Sequence, residues 1–486
     1  MTSTRAKTSP LLAAALRRPE LATAIDRYAT AFDKIDARRI AIALDNGIDW
    51  LAADLAALAT GRVVVPLAPF FSAGQVRHAI DSSGVDTVLV QRGPAFTSPA
   101  AFDRFEAVEP SEPAHRIDWL QREPENAPEL PAGTFKISYT SGTTGNPKGA
   151  CLSASLLETV ATSLVARTRA LNIERHLSLL PLAVLLENVA GSWAGLLSQA
   201  ELRSPPLAET GLRGSSALDA EQLVRCLNEH RPQSIIVLPE LLKSLCRMAA
   251  AELFDPSSLK LVAVGGARTP GALLSRARAL GLPAYEGYGL TECGSVVCLN
   301  APGLERLGSV GRPLQHAEVR VASTGELRIT GAQHLGYVGT PSGQVPVELP
   351  TGDFGQIDAD GYVHVAGRTD NRYSTAWGRN ISPEWVEAEL TGQPEIAQCF
   401  VHGRDLPGNL AIVVPAVPER IAAAIDRCNE SLPDYARITR WLLRRERFGP
   451  HDGTATANGR LRRENILERH RRDIEQTMPT EQGKTA

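Results

Sequence analysis

The 486-residue sequence predicts a doubly wound α/β protein with a second, smaller unit after it. Continuous apolar runs at residues 63–67, 87–90, 234–238 and 261–264 each lie near a helical segment, the pattern of parallel strands buried on both faces and joined by crossover helices. Near Gly308 the texture changes to short strands and turns. Length agrees: single cores stop growing at about 250 to 300 residues, so two or three units are expected.

Asp49-Trp50 followed by Leu51, Leu55 and Leu58 reads as a capped amphipathic helix closed by Gly61, and residues 63–67 follow as a buried strand. Apolar Phe135, Ile137 and Tyr139 alternate with Lys136 and Ser138, so a strand leads into residues 139–149. Beyond Gly308, residues 319–321, 326–329 and 362–365 predict a β-rich subdomain. After Gly367-Arg368 a helix starts near 382, with Ser382 as N-cap and Pro383 in the first helical position. The boundary is placed at Thr369-Asp370, giving units 1–368 and 369–476. The polar, unpatterned tail 477–486 is expected to be disordered.

A net charge of −3 gives no global reason to expect nucleic acid or membrane binding, and the arginines are not interleaved with stacking aromatics. The C-terminal region is nevertheless basic at Arg440, Arg444, Arg445, Arg447, Arg460, Arg462, Arg463, Arg469, Arg471 and Arg472. It would attract an anionic cofactor or an acidic carrier protein, or form a solvated helix face. Seven cysteines lie scattered without CxxC or zinc spacing, so neither a disulfide framework nor a structural metal is expected. No segment approaches the roughly 20 uncharged apolar residues of a membrane span. A reducing cytoplasm is the expected home.

The run Tyr139-Thr140-Ser141-Gly142-Thr143-Thr144-Gly145-Asn146-Pro147-Lys148-Gly149 suits the grip of a polyphosphate. Its glycines permit positive φ and close approach of backbone amides, its hydroxyls donate, and Lys148 adds a fixed charge. The common nucleotide-triphosphate loop needs glycine before its lysine and Ser or Thr after it; Pro147 and Gly149 break that rule. The alternative is a flexible polar linker. Placement at a strand end favours the anion cradle and hence ATP chemistry.

Four further segments follow in order: Gly265-Gly266-Ala267; Tyr288-Gly289-Leu290-Thr291-Glu292; Thr351-Gly352-Asp353 with Gly367-Arg368; and residues 456–463. With the cradle, they resemble the AMP-forming ligase superfamily of acyl-CoA synthetases, aryl ligases and peptide-synthetase adenylation domains. The resemblance runs from about Asp49 to Glu468 and is nearest to the long-chain fatty acyl-CoA synthetase group. It implies two doubly wound αβαβα subdomains, a distorted-barrel β-rich subdomain, and a small mobile α+β C-terminal domain.

The resemblance also implies roles for individual residues. Thr140, Ser141, Gly142, Thr143, Thr144, Gly145 and Lys148 would hold the β- and γ-phosphates of ATP. Thr291 would contact the α-phosphate and Glu292 would bind Mg²⁺. Tyr288 and Gly289 would meet adenine beside the Gly265-Gly266-Ala267 turn. Asp353 would accept the ribose hydroxyls, Arg368 would support the sugar, and Asp370 would be the hinge. Such enzymes join a carboxylate to AMP with loss of pyrophosphate, then pass the acyl group to a thiol. A lysine on the C-terminal domain assists the first step in relatives; Arg460 stands in its place here, keeping the charge on a broader, planar group. Asn371 is a second departure, where many relatives are acidic.

Residues 181–187 resemble the acyl-site segment of fatty acyl ligases, making Val184, Leu185 and Val189 the expected pocket. No aspartate stands nearby to hold an ammonium, so an amino acid is disfavoured. Glu187 is expected to cap or pair, without a catalytic role. Three readings stay open: an apolar, fatty acid activated and passed to coenzyme A; transfer to the phosphopantetheine thiol of an acyl carrier protein; or a non-catalytic acyl- or nucleotide-binding relative, because of Arg460.

Overall fold

The computed structural model describes residues 9–93, 101–109, 116–140, 147–213, 217–340, 345–374, 380–404, 406, 408–456 and 459–476. They fall into two compact units, one of residues 1–267, 274–351 and 356–364, the other of 268–273, 352–355 and 365–486.

The first unit holds two largely parallel sheets. One has the order Gly336–Tyr337, Lys148–Ser153, Thr134–Thr140, Val63–Pro66, Arg39–Ala43, Thr87–Gln91, Ile117–Gln121, Glu106–Val108. Its four central strands run parallel and its outer strands antiparallel. The other has the order Arg312–Pro313, Cys298–Leu299, Ala284–Tyr288, Leu261–Val264, Ser234–Val237, Arg175–Leu177, Glu201–Arg203. Apolar runs such as 40–43 and 235–237 are buried because helices cover both faces. The doubly wound prediction thus holds. The β-rich part is a four-stranded sheet built on the hairpin Ala317–Val321 and Glu326–Gly331.

The helix expected near Asp49 differs in two respects. It spans Ile48–Thr60 with Gly47 as N-cap, while Asp49 pairs with Arg27 at 2.7 Å and accepts from Tyr28 at 3.0 Å instead of capping. It is also not amphipathic: every residue from Trp50 to Leu58 is buried, including Asp54, so it is a core helix. Gly61 closes it as expected, with φ 77°.

The second unit is α+β. Its sheet, Ile396–His402, Asn409–Pro415, Ile438–Leu443, has one antiparallel and one parallel pair. Helices Pro383–Thr391 and Ile421–Ser431 bury Val386, Leu390, Ala424 and Ile425 in one cluster, and Phe448, Ile466 and Ile474 pack in another. Ser382 occupies the N-cap, but its hydroxyl donates to Glu384 at 3.0 Å and caps no amide. The basic C-terminal region is partly internal. Arg444 pairs with Asp452 and Arg463 with Glu387, both in buried settings, and Arg469 also reaches Asp452 at 2.9 Å. Those arginines hold the fold rather than offer charge to a ligand. The tail 477–486 lies outside the described residues.

All seven cysteines are buried and unpaired. Among the described residues no helix is long and apolar enough to cross a membrane.

Candidate active site

Antiparallel strands Thr134–Thr140 and Lys148–Ser153 bracket the cradle, with Thr140 opposite Lys148 and Tyr139 opposite Gly149. The segment therefore joins two paired strands, whereas the common nucleotide-triphosphate loop leads from a strand into a helix. Ser141, Gly142, Thr143, Thr144 and Gly145 lie outside the described residues. Gly149 is required by packing, since a Cβ there would come within 2.8 Å of Ile137 and 2.9 Å of Val338.

Parallel strands Leu261–Val264 and Ala284–Tyr288 end side by side and release Gly265-Gly266-Ala267 and Gly289-Leu290-Thr291-Glu292 from their carboxyl ends. Open α/β sheets bind ligands outside such ends. Gly266 takes φ 83°, and a Cβ on Gly289 would collide with the Ser295 carbonyl at 1.6 Å. The chain folds back tightly after Tyr288, whose carbonyl accepts from Val297 at 2.7 Å. This return carries the single helical turn Thr291–Cys293. Tyr288, Thr291 and Glu292 are half-buried and Ala267 is exposed.

Two of the expected residues converge through a third that the sequence reading missed. The Tyr337 hydroxyl donates to Glu292 Oε1 at 2.8 Å, and Lys148 Nζ lies 5.6 Å from the Tyr337 ring centroid. Strand Gly336–Tyr337 pairs with Lys148–Ser153, setting Tyr337 opposite Ala150. The His334 amide donates to the Glu292 carbonyl at 2.6 Å, and its ring stands 4.9 Å from Tyr337. Burial, then the Glu292 charge, pushes the Tyr337 phenol up and keeps it a donor. Burial pulls His334 down, with Glu292 opposing. Nothing in the local sequence marks Tyr337; it joins the group only through sheet pairing.

Val184 is half-buried, whereas Leu185 and the fully buried Val189 belong to the core. The segment continues as a π-helix, Leu186–Trp193. Glu187 pairs, as expected: it meets His176 Nε2 at 2.8 Å and accepts from the Leu180 amide at 3.2 Å, while His176 Nδ1 meets Ser234 at 2.8 Å. Leu186 faces Gly265, 3.5 Å from where a Cβ would stand.

In the second unit, Arg368 and Asp353 form an ion pair at 3.1 Å. Gly352, with φ 67°, makes room for the guanidinium, which a Cβ there would approach to 2.8 Å. Asp370 is exposed in a turn closed by the Arg372 amide on the Thr369 carbonyl at 3.3 Å. Asn371 donates to Glu384. Arg460 is exposed near a tight turn in which its amide donates to Thr456 Oγ1 at 3.1 Å and its carbonyl accepts from the Thr456 amide at 2.7 Å.

Parallel strands that end in glycine turns, with Glu292 and Lys148 both in contact with Tyr337, suit a nucleotide-dependent enzyme. The chain belongs to the AMP-binding enzyme family: the family model matches residues 18–340, and that of the AMP-binding enzyme C-terminal domain matches 370–482. It is an AMP-forming acid–thiol ligase of acyl-CoA synthetase type. A feruloyl-CoA synthase of Amycolatopsis sp is 30% identical over 84% of this chain and 85% of its own. The long-chain-fatty-acid–CoA ligase FadD15 of Mycobacterium bovis is 24% identical over 90% and 87%. Among solved structures, the anthranilate CoA ligase AuaEII with anthranoyl-AMP aligns with a TM-score of 0.76 at 19% identity, covering 92% of this chain and 91% of that one. The o-succinylbenzoate CoA synthetase of Bacillus subtilis with ATP and magnesium ion aligns at 0.70 and 23%, covering 92% and 93%.

Proposed function

We propose that this ligase adenylates an apolar carboxylic acid with ATP, releases pyrophosphate, and transfers the acyl group to coenzyme A. The observation that carries the reading is the convergence of Lys148 and Glu292 on Tyr337 beside the cradle strands. Negative charge builds on the α-phosphorus as the carboxylate attacks, and fixed cations and hydroxyls that meet it lower the barrier. Lys148 and the hydroxyls of Thr140, Ser141, Thr143 and Thr144 serve the β- and γ-phosphates, and Thr291 serves the α-phosphate. Gly142 and Gly145 let the loop's amides approach those phosphates. Tyr288 stacks on adenine over Gly265, Gly266, Ala267 and Gly289, with Asp353 and Arg368 on the ribose. Glu292 suits Mg²⁺, since a carboxylate already accepting one hydrogen bond retains lone pairs for a hard dication that keeps most of its waters. When bound, the ion would neutralise charge on the phosphates.

Arg460 supplies the cation from the C-terminal domain, which swivels at Asp370 between the half reactions. We place the domain boundary at Thr369-Asp370. For the acid, half-buried Val184 offers an apolar wall without a carboxylate to hold an ammonium, backed by the core residue Leu185. An aromatic acid is favoured by the 30% identical feruloyl-CoA synthase; a fatty acid, the expectation from the motifs, is favoured by the ligase FadD15. A carrier-protein phosphopantetheine is the second acceptor, presenting the same thiol arm. Seven buried, unpaired thiols suit a reducing cytoplasm.

The test is AMP release with a panel of cinnamic, benzoic and fatty acids, with coenzyme A or a carrier protein as acceptor. AMP release and thioester with one acid class is expected. Failure with every acid, while Arg460→Lys is active, would leave the natural protein a binding relative; failure of both sinks the reading.

A further inference from the structure

The contacts around Tyr337 go beyond what the motifs assign. Its hydroxyl holds Glu292 Oε1 at 2.8 Å, while its ring lies 5.6 Å from the Lys148 ammonium. The side chain therefore stands in contact with the anion proposed to bind metal and with the cation proposed to bind phosphate. An ammonium and a carboxylate that contact the same side chain attract one another, and both charges are needed at the nucleotide. The tyrosine is itself fixed: its strand is paired to Lys148–Ser153, its amide donates to Thr340 Oγ1 at 3.0 Å, and His334 packs on its ring. Both the hydroxyl and the ring are thus delivered by backbone pairing.

We infer that Tyr337 is a positioning residue that orients the Glu292 carboxylate toward a phosphate-bound divalent cation while keeping Lys148 separate from it. The inference rests on the ligase reading above. The hydroxyl and the ring have distinct duties. Donation to Glu292 fixes one oxygen and orients the carboxylate, so it governs affinity for the metal complex of ATP. The ring face supports Lys148, so it governs affinity for ATP with or without metal.

Calorimetric titration of the full chain with ATP, in excess Mg²⁺ and separately in EDTA, tests this. Tyr337→Phe keeps the ring and removes the hydroxyl. It should weaken Mg–ATP by about tenfold, the loss expected for a hydrogen bond to a charged group, and leave metal-free ATP unchanged. Tyr337→Leu should weaken both forms. In a Glu292→Gln background, Tyr337→Phe should cause no further loss of Mg–ATP affinity, since the two act through one interaction. Equal weakening by Tyr337→Phe in both buffers, no weakening in either, or additive losses with Glu292→Gln would overturn the inference. Wild type that binds ATP in neither buffer would instead remove the ligase reading itself.

Discussion

An ammonium group survives in an apolar core only if its neighbours replace water, and Lys136 shows which neighbours do so. The side chain is fully buried, with Nζ 2.8 Å from Asp54 Oδ1 and donating to Asn188. The rings of Trp50, Phe135 and Trp193 surround it at 5.1 to 5.7 Å. Asn188 and the Trp193 indole also donate to Asp54, each at 3.2 Å. Burial pulls the Lys136 pKa down while Asp54 opposes it. Lys136→Met should cost about 3 to 5 kcal/mol because it strands the Asp54 carboxylate, and adding Asp54→Leu should recover most of that. Denaturant unfolding of the two variants decides; a single variant as stable as wild type contradicts the account. Alternation in the sequence places Lys136 on a polar face, and that rule fails because a parallel strand in this fold is covered on both sides. The legible sign was Asp54, a lone charge inside the apolar run Leu51 to Leu58.

The π-helix Leu186–Trp193 owes its placement to polar anchors beneath it. Glu187 reaches down to His176 and the Leu180 amide, and this fills the space beside Gly191: a Cβ there would lie 2.2 Å from Glu187 Oε1 and 2.5 Å from His176 Nε2. A widened turn is an expensive conformation, found mostly where function fixes it. Here it sets Leu186 against Gly265, with Val184 two residues before its first residue. Gly191→Ala should force the Glu187–His176 contact apart and cost about 1 to 3 kcal/mol. It should also raise KM for the acid more than KM for ATP, because the displaced element follows closely on Val184, the residue proposed to line the acyl site. Equal changes in the two KM values would detach the π-helix from substrate selection. No local pattern announces this element, since its period is imposed by the buried His176 and Ser234 of neighbouring strands.

The parallel sheets and the turn to β-rich texture were legible because each leaves a run or a period in the sequence, whereas the α+β character of the small unit came from the family resemblance. Lys148 and Glu292 were legible as motif members, but Tyr337 was not, because strand pairing across nearly two hundred residues has no sequence period. The junction between units is legible only in outline. The second family model begins at residue 370, whereas compactness assigns residues 365 onward, with 268–273 and 352–355, to the second unit. A swivel at Asp370 has a conformational test. Asp370 follows Thr369 in the turn closed by Arg372, and its φ is not positive. Proline, with φ fixed near −65°, suits the second position of such a turn, so Asp370→Pro should fold normally. Stiffened there, the protein should favour one half reaction over the other, separating pyrophosphate exchange from thioester formation on supplied acyl-AMP by on the order of tenfold. Equal rates of decline in both, or no decline in either, would place the swivel elsewhere in the chain.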